Sequence, residues 1–380
     1  MTQKFIIVGG GIAGLTTAIA LNKIGINPTI FEATPEINVV GAGLVLASNA
    51  IKAFQKLDIA DEVIKFGRLI PSFTLYDQKG KPIIKTDSKA ISEKYGVDNF
   101  TIHRAELHKL LLSKIDSKII NTNKHAIDIK QTKNSITIKF RDGSVYETDF
   151  LIVADGIHSP IRKKLLLKTT PRYSGYTCWR AVIENTNLNL SETSETWGTA
   201  GRFGIVPLAN NKIYWFACVN AQQNDNAMKQ FKVADLQRHF KDFHKPIPMV
   251  LQQTEDENLI WNDIIDLKPI GQYAFDNVVL IGDAAHATTP NMGQGACQAI
   301  EDAVILADEL KNNADIQKAF KQFEQRRLKR THYIVNASWT IGRVAQIENK
   351  MLASVRNLVI RLLPASINKR QLKMLYEVDF

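Results

Sequence analysis

The sequence predicts an α/β protein in which a central parallel sheet is interrupted by segments of mostly β structure. Three apolar runs, Lys4–Val8, Phe150–Ala154 and Val278–Ile281, lack the alternation of a half-exposed strand. Each is therefore expected in the interior of a parallel sheet. The first run leads into the glycine-rich turn and helix of a β-turn-α-β unit. Residues 71–100 and 171–270 carry short alternating strands, which predict a second, β-rich domain.

The remaining elements follow from periodicity and turn residues. They are, in chain order, a helix ending near Ile24, a strand Pro28–Glu32, a glycine-rich loop Asn38–Asn49, an amphipathic helix with Ile51, Phe54 and Leu57 on one face, strands Phe73–Tyr76 and Ile83–Thr86, a helix Ala105–Ile115, a meander His125–Gln131, Ser135–Arg141 and Ser144–Thr148, β structure over about Arg172–Leu267 with helical insertions near 232–253, and helices from Gly295 onward. The expected domains are a first one assembled from 1–70, 101–170 and 271–335, a β domain of 71–100 and 171–270, and C-terminal helices over 336–380.

Composition is typical of a globular protein. The 380 residues are 45% hydrophobic and 23% charged, which excludes disordered, collagenous and coiled-coil proteins. No run approaches the roughly 20 apolar residues of a membrane span, and the start does not resemble a signal peptide, so a cytoplasmic enzyme is expected. Three separated cysteines, Cys178, Cys218 and Cys297, give neither a metal-ligand pattern nor a disulfide framework.

The net charge is +10, and a basic balance can indicate nucleic acid, a membrane surface or anionic small molecules. The lysines are scattered, and the dense run is Arg326, Arg327, Lys329 and Arg330. Because no basic stripe is interleaved with aromatic residues, no nucleic-acid partner is expected. We interpret the charge as a solvated surface with some attraction for anionic cofactors and substrates.

The first chemical motif is Gly9-x-Gly11-x-x-Gly14, which follows a strand and opens a helix. The first glycine permits the tight turn, the second lets a pyrophosphate approach the backbone, and the third lets the helix pack on the strand. The helix N-terminus adds free N–H groups and the positive end of its dipole. Glu32 ends the next strand, where an acid would hold a ribose hydroxyl and disfavour a 2′-phosphate. The motif predicts FAD or NAD rather than NADP.

The second motif also follows an apolar strand. Gly282-Asp283 is followed by a loop to Pro290 and by the start of a long helix at Gly293–Gly295. Asp283 can accept hydrogen bonds from sugar-like hydroxyls, and the helix N-terminus can stabilise the anionic edge of a reduced flavin. His286, in the loop, is interpreted as structural.

The third motif is Asp155-Gly156, a strand–turn–helix junction in which Ser159 is expected to cap the helix that begins at Pro160. In this order and at these separations, the three motifs resemble the FAD-dependent group A aromatic hydroxylases, the p-hydroxybenzoate hydroxylase-like flavoprotein monooxygenases. The resemblance covers almost the whole chain and is greatest to the salicylate hydroxylase, urate hydroxylase and zeaxanthin epoxidase branch. It implies a discontinuous Rossmann-type FAD-binding domain, a β-sheet substrate domain and C-terminal helices.

The resemblance also implies roles for individual residues. Gly9, Gly11, Ala13 and Gly14 would face the FAD pyrophosphate, Glu32 and Ala33 the adenosine ribose, the loop 41–45 with Val45 the flavin, Arg104 the phosphates and ribityl chain, Asp155 both FAD and the nicotinamide cofactor, Asp283 the ribityl chain, and Pro290, Gly293, Gln294, Gly295 and Ala296 the isoalloxazine. No metal site is implied.

The reaction implied by the resemblance is hydroxylation of a small aromatic or heteroaromatic substrate. NADH or NADPH would reduce FAD, and O2 would then form a flavin hydroperoxide that transfers oxygen to the ring. Three alternatives stay open: a flavin-dependent reductase or dehydrogenase without oxygen insertion, an isoprenoid epoxidase, and a non-enzymatic flavin-binding sensor. The NADH or NADPH preference and the choice between monomer and homodimer are not predicted.

Substrate contacts are expected from the β domain. Arg202 and Tyr214 match the urate hydroxylases' substrate-holding arginine and tyrosine, whereas their aspartate after "TTP" is Asn291 here. No residue is assigned a certain catalytic role. The cations and aromatic side chains expected near the substrate are Trp179, Arg180, Arg202, Phe203, Tyr214, Trp215 and Phe216, of which Trp179 and Trp215 are better explained by sheet packing.

The C-terminal segment Met351–Leu363 carries an apolar stripe with Arg356 and Arg361. Such a stripe can lie on a membrane surface or pack across two domains. The second interpretation is preferred, and membrane contact is not expected.

Overall fold

The computed structural model describes residues 3–36, 42–87, 99–133, 135–363 and 374–380. The strands are β1 (Phe5–Val8), β2 (Thr29–Phe31), β3 (Gly43–Leu46), β4 (Gly67–Leu69), β5 (Ser72–Asp77), β6 (Pro82–Asp87), β7 (Phe100–His103), β8 (Ile120–Asn121), β9 (Ala126–Gln131), β10 (Ile136–Phe140), β11 (Val145–Thr148), β12 (Phe150–Val153), β13 (Arg172–Glu184), β14 (Thr193–Gly198), β15 (Gly201–Pro207), β16 (Lys212–Asn220), β17 (Ile260–Asp266), β18 (Ala274–Phe275) and β19 (Val278–Leu280). The helices are α1 (Ile12–Lys23), α2 (Ser48–Lys56), α3 (Ala60–Lys65), α4 (Arg104–Ser113), α5 (Pro160–Leu165), α6 (Asn226–Lys229), α7 (Val233–His239), α8 (Ile247–Gln252), α9 (Asp283–His286), α10 (Gly295–Asn312), α11 (Ile316–Ala345) and α12 (Lys350–Leu362).

The three apolar runs lie side by side in a six-stranded sheet of order β18-β19-β12-β1-β2-β8. β1 pairs in parallel with β12 and β2, and β12 pairs in parallel with β19. Their side chains are almost wholly buried because helices cover the sheet. Parallel strands end at one edge, so the three glycine-containing motifs meet there.

The second large sheet has seven strands in the order β17-β13-β16-β15-β14-β5-β6. Two strands from the 72–87 segment therefore join strands from 172–266 in one sheet. One face of this sheet packs on α7 and α8 through a core that contains Trp179, Phe203 and Trp215. The opposite face looks toward the carboxyl edge of the six-stranded sheet. The predicted class, α/β with a β-sheet domain and C-terminal helices, is confirmed.

The prediction of a loop over Asn38–Asn49 is wrong in part. Residues 43–46 form β3, which pairs with β7 in an antiparallel ladder, and α2 begins at Ser48. A short strand with a glycine at its start gives too weak a local signal to separate it from a loop. Residues 38–41 lie outside the described residues. The Ser159 cap is confirmed, since its hydroxyl accepts a hydrogen bond from the Arg162 N–H.

The arginines of the dense basic run are paired with carboxylates of the protein, whereas Lys329 is exposed. Arg327 is fully buried and donates to Asp302 at 2.6 Å and to Glu301 at 2.5 Å. Arg330 also donates to Glu301 at 2.7 Å. His286 lies 2.7 Å from Asp302, so its predicted structural role agrees with its position in this network. The network joins α9, α10 and α11 behind the cavity described below.

The predicted packing of the C-terminal stripe between two domains is wrong. Met351, Leu352, Val355, Leu358, Val359 and Leu362 of α12 are all more than half exposed. The side of the helix that meets the protein carries Ala353, Arg356 and Asn357, which are buried, and Ile360, which packs on a small cluster with Leu75 and Ala345. The predicted boundary at 336 falls within α11. In the part of the chain that the structure describes, no helix is long and apolar enough to cross a bilayer.

Candidate active site

A cavity of about 390 Å³ lies between the carboxyl edge of the six-stranded sheet and one face of the seven-stranded sheet. Two helices begin at this cavity, α1 after Gly11 and α10 at Gly295. Neither helix has an acidic residue in its first turn, so the positive end of each dipole is not neutralised. The cavity therefore offers two adjacent places for negative charge, such as phosphate or an anionic ring.

The three glycines of the first motif have different roles. A Cβ on Gly9, which has φ +109°, would lie 2.3 Å from the Ala154 carbonyl oxygen, and a Cβ on Gly14 would lie 1.9 Å from the Gly9 oxygen. Both are needed for backbone packing. A Cβ on Gly11 would meet nothing within 4 Å, because this position opens onto the cavity. A ligand can approach the backbone there, and Ala13 lines the same wall.

The side chains of two aspartates at the sheet edge make no hydrogen bond with a described residue. Both oxygens of Asp155 are buried and have no hydrogen-bond partner among the described residues. Burial raises the pKa of Asp155 to about 6. Asp283 lines the cavity with an exposed side chain, and desolvation by the protein around it raises the pKa of its carboxyl. Orphaned polar groups are costly, so both fit a ligand that brings hydroxyl or N–H donors.

Glu32 and Ala33 follow β2 outside the cavity lining. The Glu32 carboxylate accepts hydrogen bonds from the Gly10 N–H at 2.6 Å and from the N–H and hydroxyl of Thr34, both at 2.9 Å. Glu32 therefore fastens the glycine turn in this structure. Its role toward a ribose stays a prediction, as does that of Ala33, which is exposed.

Arg104 is the first residue of α4, and its exposed side chain lines the cavity. Its guanidinium makes no hydrogen bond or ion pair with any described residue, and Glu106 pairs instead with Lys109 at 3.3 Å. Val45 of β3 lines the cavity nearby. The cation is thus available to an anionic ligand.

The segment that begins α10 divides its side chains between the cavity and the interior. Pro290, Gly293, Gly295 and Ala296 line the cavity. Gly293 has φ +62°, a backbone conformation that favours glycine. The Gln294 side chain is buried and accepts hydrogen bonds from Asn49 and Gln298, both at 3.0 Å. Its isoalloxazine contact stays a prediction, and its carboxamide is already used by the protein.

The seven-stranded sheet supplies the opposite wall through alternate residues. Cys178, Arg180, Tyr214 and Phe216 face the cavity. The intervening residues Trp179, Phe203 and Trp215 face the helices on the other side, because successive side chains of a strand point to opposite faces. The prediction that Phe203 lies near the substrate is therefore wrong, and the packing role expected for Trp179 and Trp215 is confirmed.

Arg202 reaches the cavity but is already held by the protein. It is 2% exposed, donates to Glu195 at 3.2 Å, and also donates to the Asn291 side-chain oxygen. The Asn291 amide donates to the Thr289 hydroxyl at 2.8 Å and the Ser338 carbonyl at 2.7 Å. The arginine is thus neutralised by an acid that sequence reasoning did not find.

Tyr214 lies where the seven-stranded sheet meets β3, which belongs to a three-stranded sheet with β7 and β4. A Cβ on Gly43 would be 2.6 Å from the Tyr214 ring, so the ring packs directly on the β3 backbone. Burial raises the pKa of its hydroxyl, which keeps it protonated. Tyr214 can therefore donate a hydrogen bond to a ligand.

Arg180 is the cation of this wall that has no carboxylate partner among the described residues. Its Nε is buried without a hydrogen bond. Cys178 lies beside it and directly opposite Cys218 on the neighbouring strand. The Cys218 thiol, together with Arg180 and Arg202, lowers the pKa of Cys178. Arg180 thus lies in the cavity wall, where it was expected, whereas the sequence analysis assigned no site role to its neighbour Cys178.

Comparisons with known proteins agree with this geometry. A model of the family described as FAD binding domain matches residues 2–338. The aurachin C monooxygenase/isomerase of Stigmatella aurantiaca is 36% identical over 94% of each chain. The 2-heptyl-3-hydroxy-4(1H)-quinolone synthase of Pseudomonas aeruginosa is 31% identical over 96% of this chain and 95% of that protein. The crystal structure of Klebsiella pneumoniae HpxO complexed with FAD and uric acid has a TM-score of 0.90 and 26% identity, covering 98% of this chain and 97% of that one.

The predicted relationship and cofactor are confirmed by these matches. The unpaired aspartates, the open glycine position and the two helix N-termini are groups that suit a flavin dinucleotide. The chain belongs to the FAD-binding-domain family and is a FAD-dependent monooxygenase of the aromatic hydroxylase type.

Proposed function

We propose that the protein hydroxylates a fused heteroaromatic ring of the 4-quinolone type that carries an apolar substituent, with NADH or NADPH as reductant. The observation that supports this most directly is the composition of the substrate wall. Val206, Phe216, Cys178 and Cys218 give it an apolar surface, and Arg180 adds one cation that no carboxylate of the described residues neutralises. A ring with one keto or hydroxyl oxygen and an alkyl tail matches that combination. Two relatives support it, one named for aurachin C and one for a heptyl quinolone.

We propose that FAD is held by the residues at the carboxyl edge of the six-stranded sheet. The α1 N-terminus at Gly11 and Arg104 would bind its pyrophosphate, and Asp283 its sugar-alcohol hydroxyls. The α10 N-terminus at Gly295 would face the flavin ring. When bound, FAD takes a hydride from the nicotinamide and activates O2 for transfer of one oxygen atom to the substrate.

The chain's own contribution to the reaction is orientation and exclusion of water. Arg180 would donate a charge-assisted hydrogen bond to the ring oxygen, which fixes which ring carbon faces the flavin. Phe216 and Val206 would pack against the ring and its substituent. In the substrate part of the cavity, Arg202 is already bonded to Glu195 and Asn291. These three side chains would not move when the substrate binds. The net reaction converts substrate, O2, NAD(P)H and a proton into hydroxylated product, NAD(P)⁺ and water.

Urate is the second candidate, favoured by the high TM-score to the HpxO complex. One feature argues against it. Asn291 stands where the urate hydroxylases have an aspartate, and both ends of its amide are engaged within the protein. The side chain therefore cannot accept a proton.

We propose a domain organisation in which one domain binds FAD and the other binds the substrate. We propose that residues 1–70, 101–170 and 271–335 form the FAD domain and that 71–100 and 171–270 form the substrate domain. The shared sheet of β5, β6 and β13–β17 supports this. The cytoplasm, where reduced nicotinamide cofactors are available, is the proposed location.

A substrate panel tests the proposal. The FAD-loaded protein is given NADH or NADPH with 2-heptyl-4(1H)-quinolone, unsubstituted 4(1H)-quinolone, urate or salicylate under ¹⁸O2. We expect the heptyl compound to stimulate nicotinamide oxidation most and to gain one labelled oxygen. Stronger stimulation by urate would contradict the quinolone proposal. Oxidation without labelled product would support a reductase, an epoxide product would support an epoxidase, and no stimulated turnover by any compound would support a sensor.

A further inference from the structure

Helix α12 is oriented with its apolar side toward solvent. A helix at a protein surface normally buries its apolar stripe and exposes its polar side. Here six large apolar side chains are between 52% and 72% exposed. They are Met351, Leu352, Val355, Leu358, Val359 and Leu362. Their spacing of three and four residues places them on one continuous face.

The polar side of α12 attaches the helix to the protein. Arg356 is 6% exposed and donates to the carbonyls of Val344 and Ala345 at 3.2 and 3.0 Å, which are among the last carbonyls of α11. Arg361 donates to Asp77 at 2.9 Å and to the Pro82 carbonyl at 3.1 Å. Specific hydrogen bonds thus hold the helix in an orientation that presents the apolar face outward.

The surroundings of this face are basic. Helix α12 has no Asp or Glu, and Lys350 at its start is exposed, whereas Arg356 is buried and Arg361 is paired with Asp77. Strand β6, against which Arg361 packs, carries exposed Lys85, and Lys81 is exposed just before it. The whole chain has a net charge of +10. An apolar stripe with lysines at its margins matches a lipid surface that contains anionic headgroups.

A second copy of the chain fits this face less well. A helix of 13 residues is about 20 Å long and about 10 Å wide, so its footprint is roughly 200 Å². Stable protein pairs bury about 800 Å² on each partner. A membrane surface has no such minimum, because the helix inserts its stripe among acyl chains.

We propose that α12 docks the protein on an anionic membrane surface, with the helix parallel to the surface and its apolar face in the headgroup and acyl boundary. This docking does not depend on the proposed substrate. If the substrate has an apolar tail, as proposed above, docking brings the cavity to the phase in which that substrate accumulates.

Vesicle co-sedimentation of the FAD-loaded, full-length protein tests the docking. Vesicles of phosphatidylcholine with 25% phosphatidylglycerol are compared with pure phosphatidylcholine vesicles. We expect the partition coefficient to be at least about tenfold higher on the anionic vesicles, since each basic residue near the surface contributes roughly a fivefold factor. The triple variant Leu352→Glu, Val355→Glu and Leu358→Glu is expected to lose binding.

The matched control is the triple variant Leu69→Glu, Val145→Glu and Leu167→Glu, which changes side chains that are also more than half exposed on other elements. We expect it to bind vesicles as the wild type does. Flavin absorbance and thermal unfolding check that both variants keep the fold.

Three outcomes would overturn the proposal. The wild type could fail to bind anionic vesicles, the control variant could lose binding as fully as the α12 variant, or light scattering could show a dimer that only the α12 substitutions dissociate. The last result would assign the face to a second copy. Failure of the quinolone panel would leave the vesicle result unchanged, so the two proposals are tested separately.

Discussion

Two buried groups of charges lie on either side of α10, and they differ in whether their charges are paired. Behind the helix, Arg327 bonds to both Glu301 and Asp302, and Asp302 also contacts His286. On the cavity side, Asp155 lies between the lining residues Ala154 and Gly156 and has two buried oxygens without a partner, and Arg180 has no carboxylate beside it among the described residues. The charges behind the helix are paired within the protein, and those on the cavity side are not.

The difference separates a folding role from a binding role. A paired buried ion gains little over an apolar substitute, but removal of one partner leaves a costly unpaired charge. An unpaired buried polar group already carries that cost in the protein without ligand and recovers it when a ligand binds. Substitutions in the paired group should therefore change stability, and those in the unpaired group should change pH dependence, cofactor affinity or substrate affinity.

The largest effect is expected for Arg327→Met. The substitution leaves Glu301 and Asp302 buried with fewer counter-charges, and breaking such a pair costs about 3–5 kcal/mol. Denaturant unfolding of the FAD-loaded protein measures the loss. Lys329→Met is the control, because Lys329 is exposed on the same helix and should change stability by less than about 0.5 kcal/mol. Equal losses in the two variants would contradict the comparison.

Asp155 predicts a pH dependence of the FAD-free protein. Burial raises its pKa from 3.8 to about 6, so the folded state holds the proton more tightly than the unfolded state does. Stability should then fall as pH rises from about 4 to about 6 and should level off above that. At about 1.4 kcal/mol per pH unit, the loss is at most ~3 kcal/mol.

The variant Asp155→Asn isolates this contribution because it cannot ionise. As the pH rises from about 4 to about 6, the wild type should lose stability and the variant should not. The variant should therefore become more stable relative to the wild type. A constant difference would show that the Asp155 pKa is not raised.

Local sequence signals were sufficient for the cofactor half of the cavity. The glycine motif, Asp283 and the helix start at Gly295 are each coded within a few residues, and parallel strands necessarily end at one edge. The substrate half depends on which face of each strand is covered. Trp179 and Arg180 are neighbours, and the packing of α7 and α8 decides which of them faces the cavity.

Contacts between residues that are far apart in the sequence could not be predicted either. The partners Glu195 and Arg202 lie on neighbouring strands, and Arg327 meets acids on another helix. Such contacts are not visible in a local pattern, so the sequence did not predict that the arginines of the basic run are paired inside the protein. The stripe of α12 was found correctly, but its direction is set by the hydrogen bonds of Arg356, which no periodicity reveals.

Asp283→Ala should weaken FAD binding by roughly 100-fold, since a hydrogen bond to a charged group contributes about 1.5–3 kcal/mol. The FAD-free protein should keep its stability because the Asp283 side chain makes no hydrogen bond or ion pair with a described residue, and desolvation already disfavours its charge. Titration of flavin fluorescence gives the Kd. Asp283→Asn retains an acceptor oxygen and should lose less affinity. An unchanged Kd in the alanine variant would remove Asp283 from the cofactor site.

The smallest effect is expected for Arg180→Gln. This variant distinguishes the role of Arg180 from that of Arg202, the other arginine of the substrate wall. Arg180 has no carboxylate to leave behind, so stability and FAD affinity should stay near wild type. The KM for the preferred substrate should rise about tenfold. This corresponds to the lower end of the free energy of a charge-assisted hydrogen bond, because the Arg180 side chain is only partly buried. Arg202→Gln is the matched comparison, and it should also lower stability because it leaves Glu195 without its cation. If Arg202→Gln raised KM without loss of stability while Arg180→Gln had no effect, the assignment of the free cation would have to be reversed.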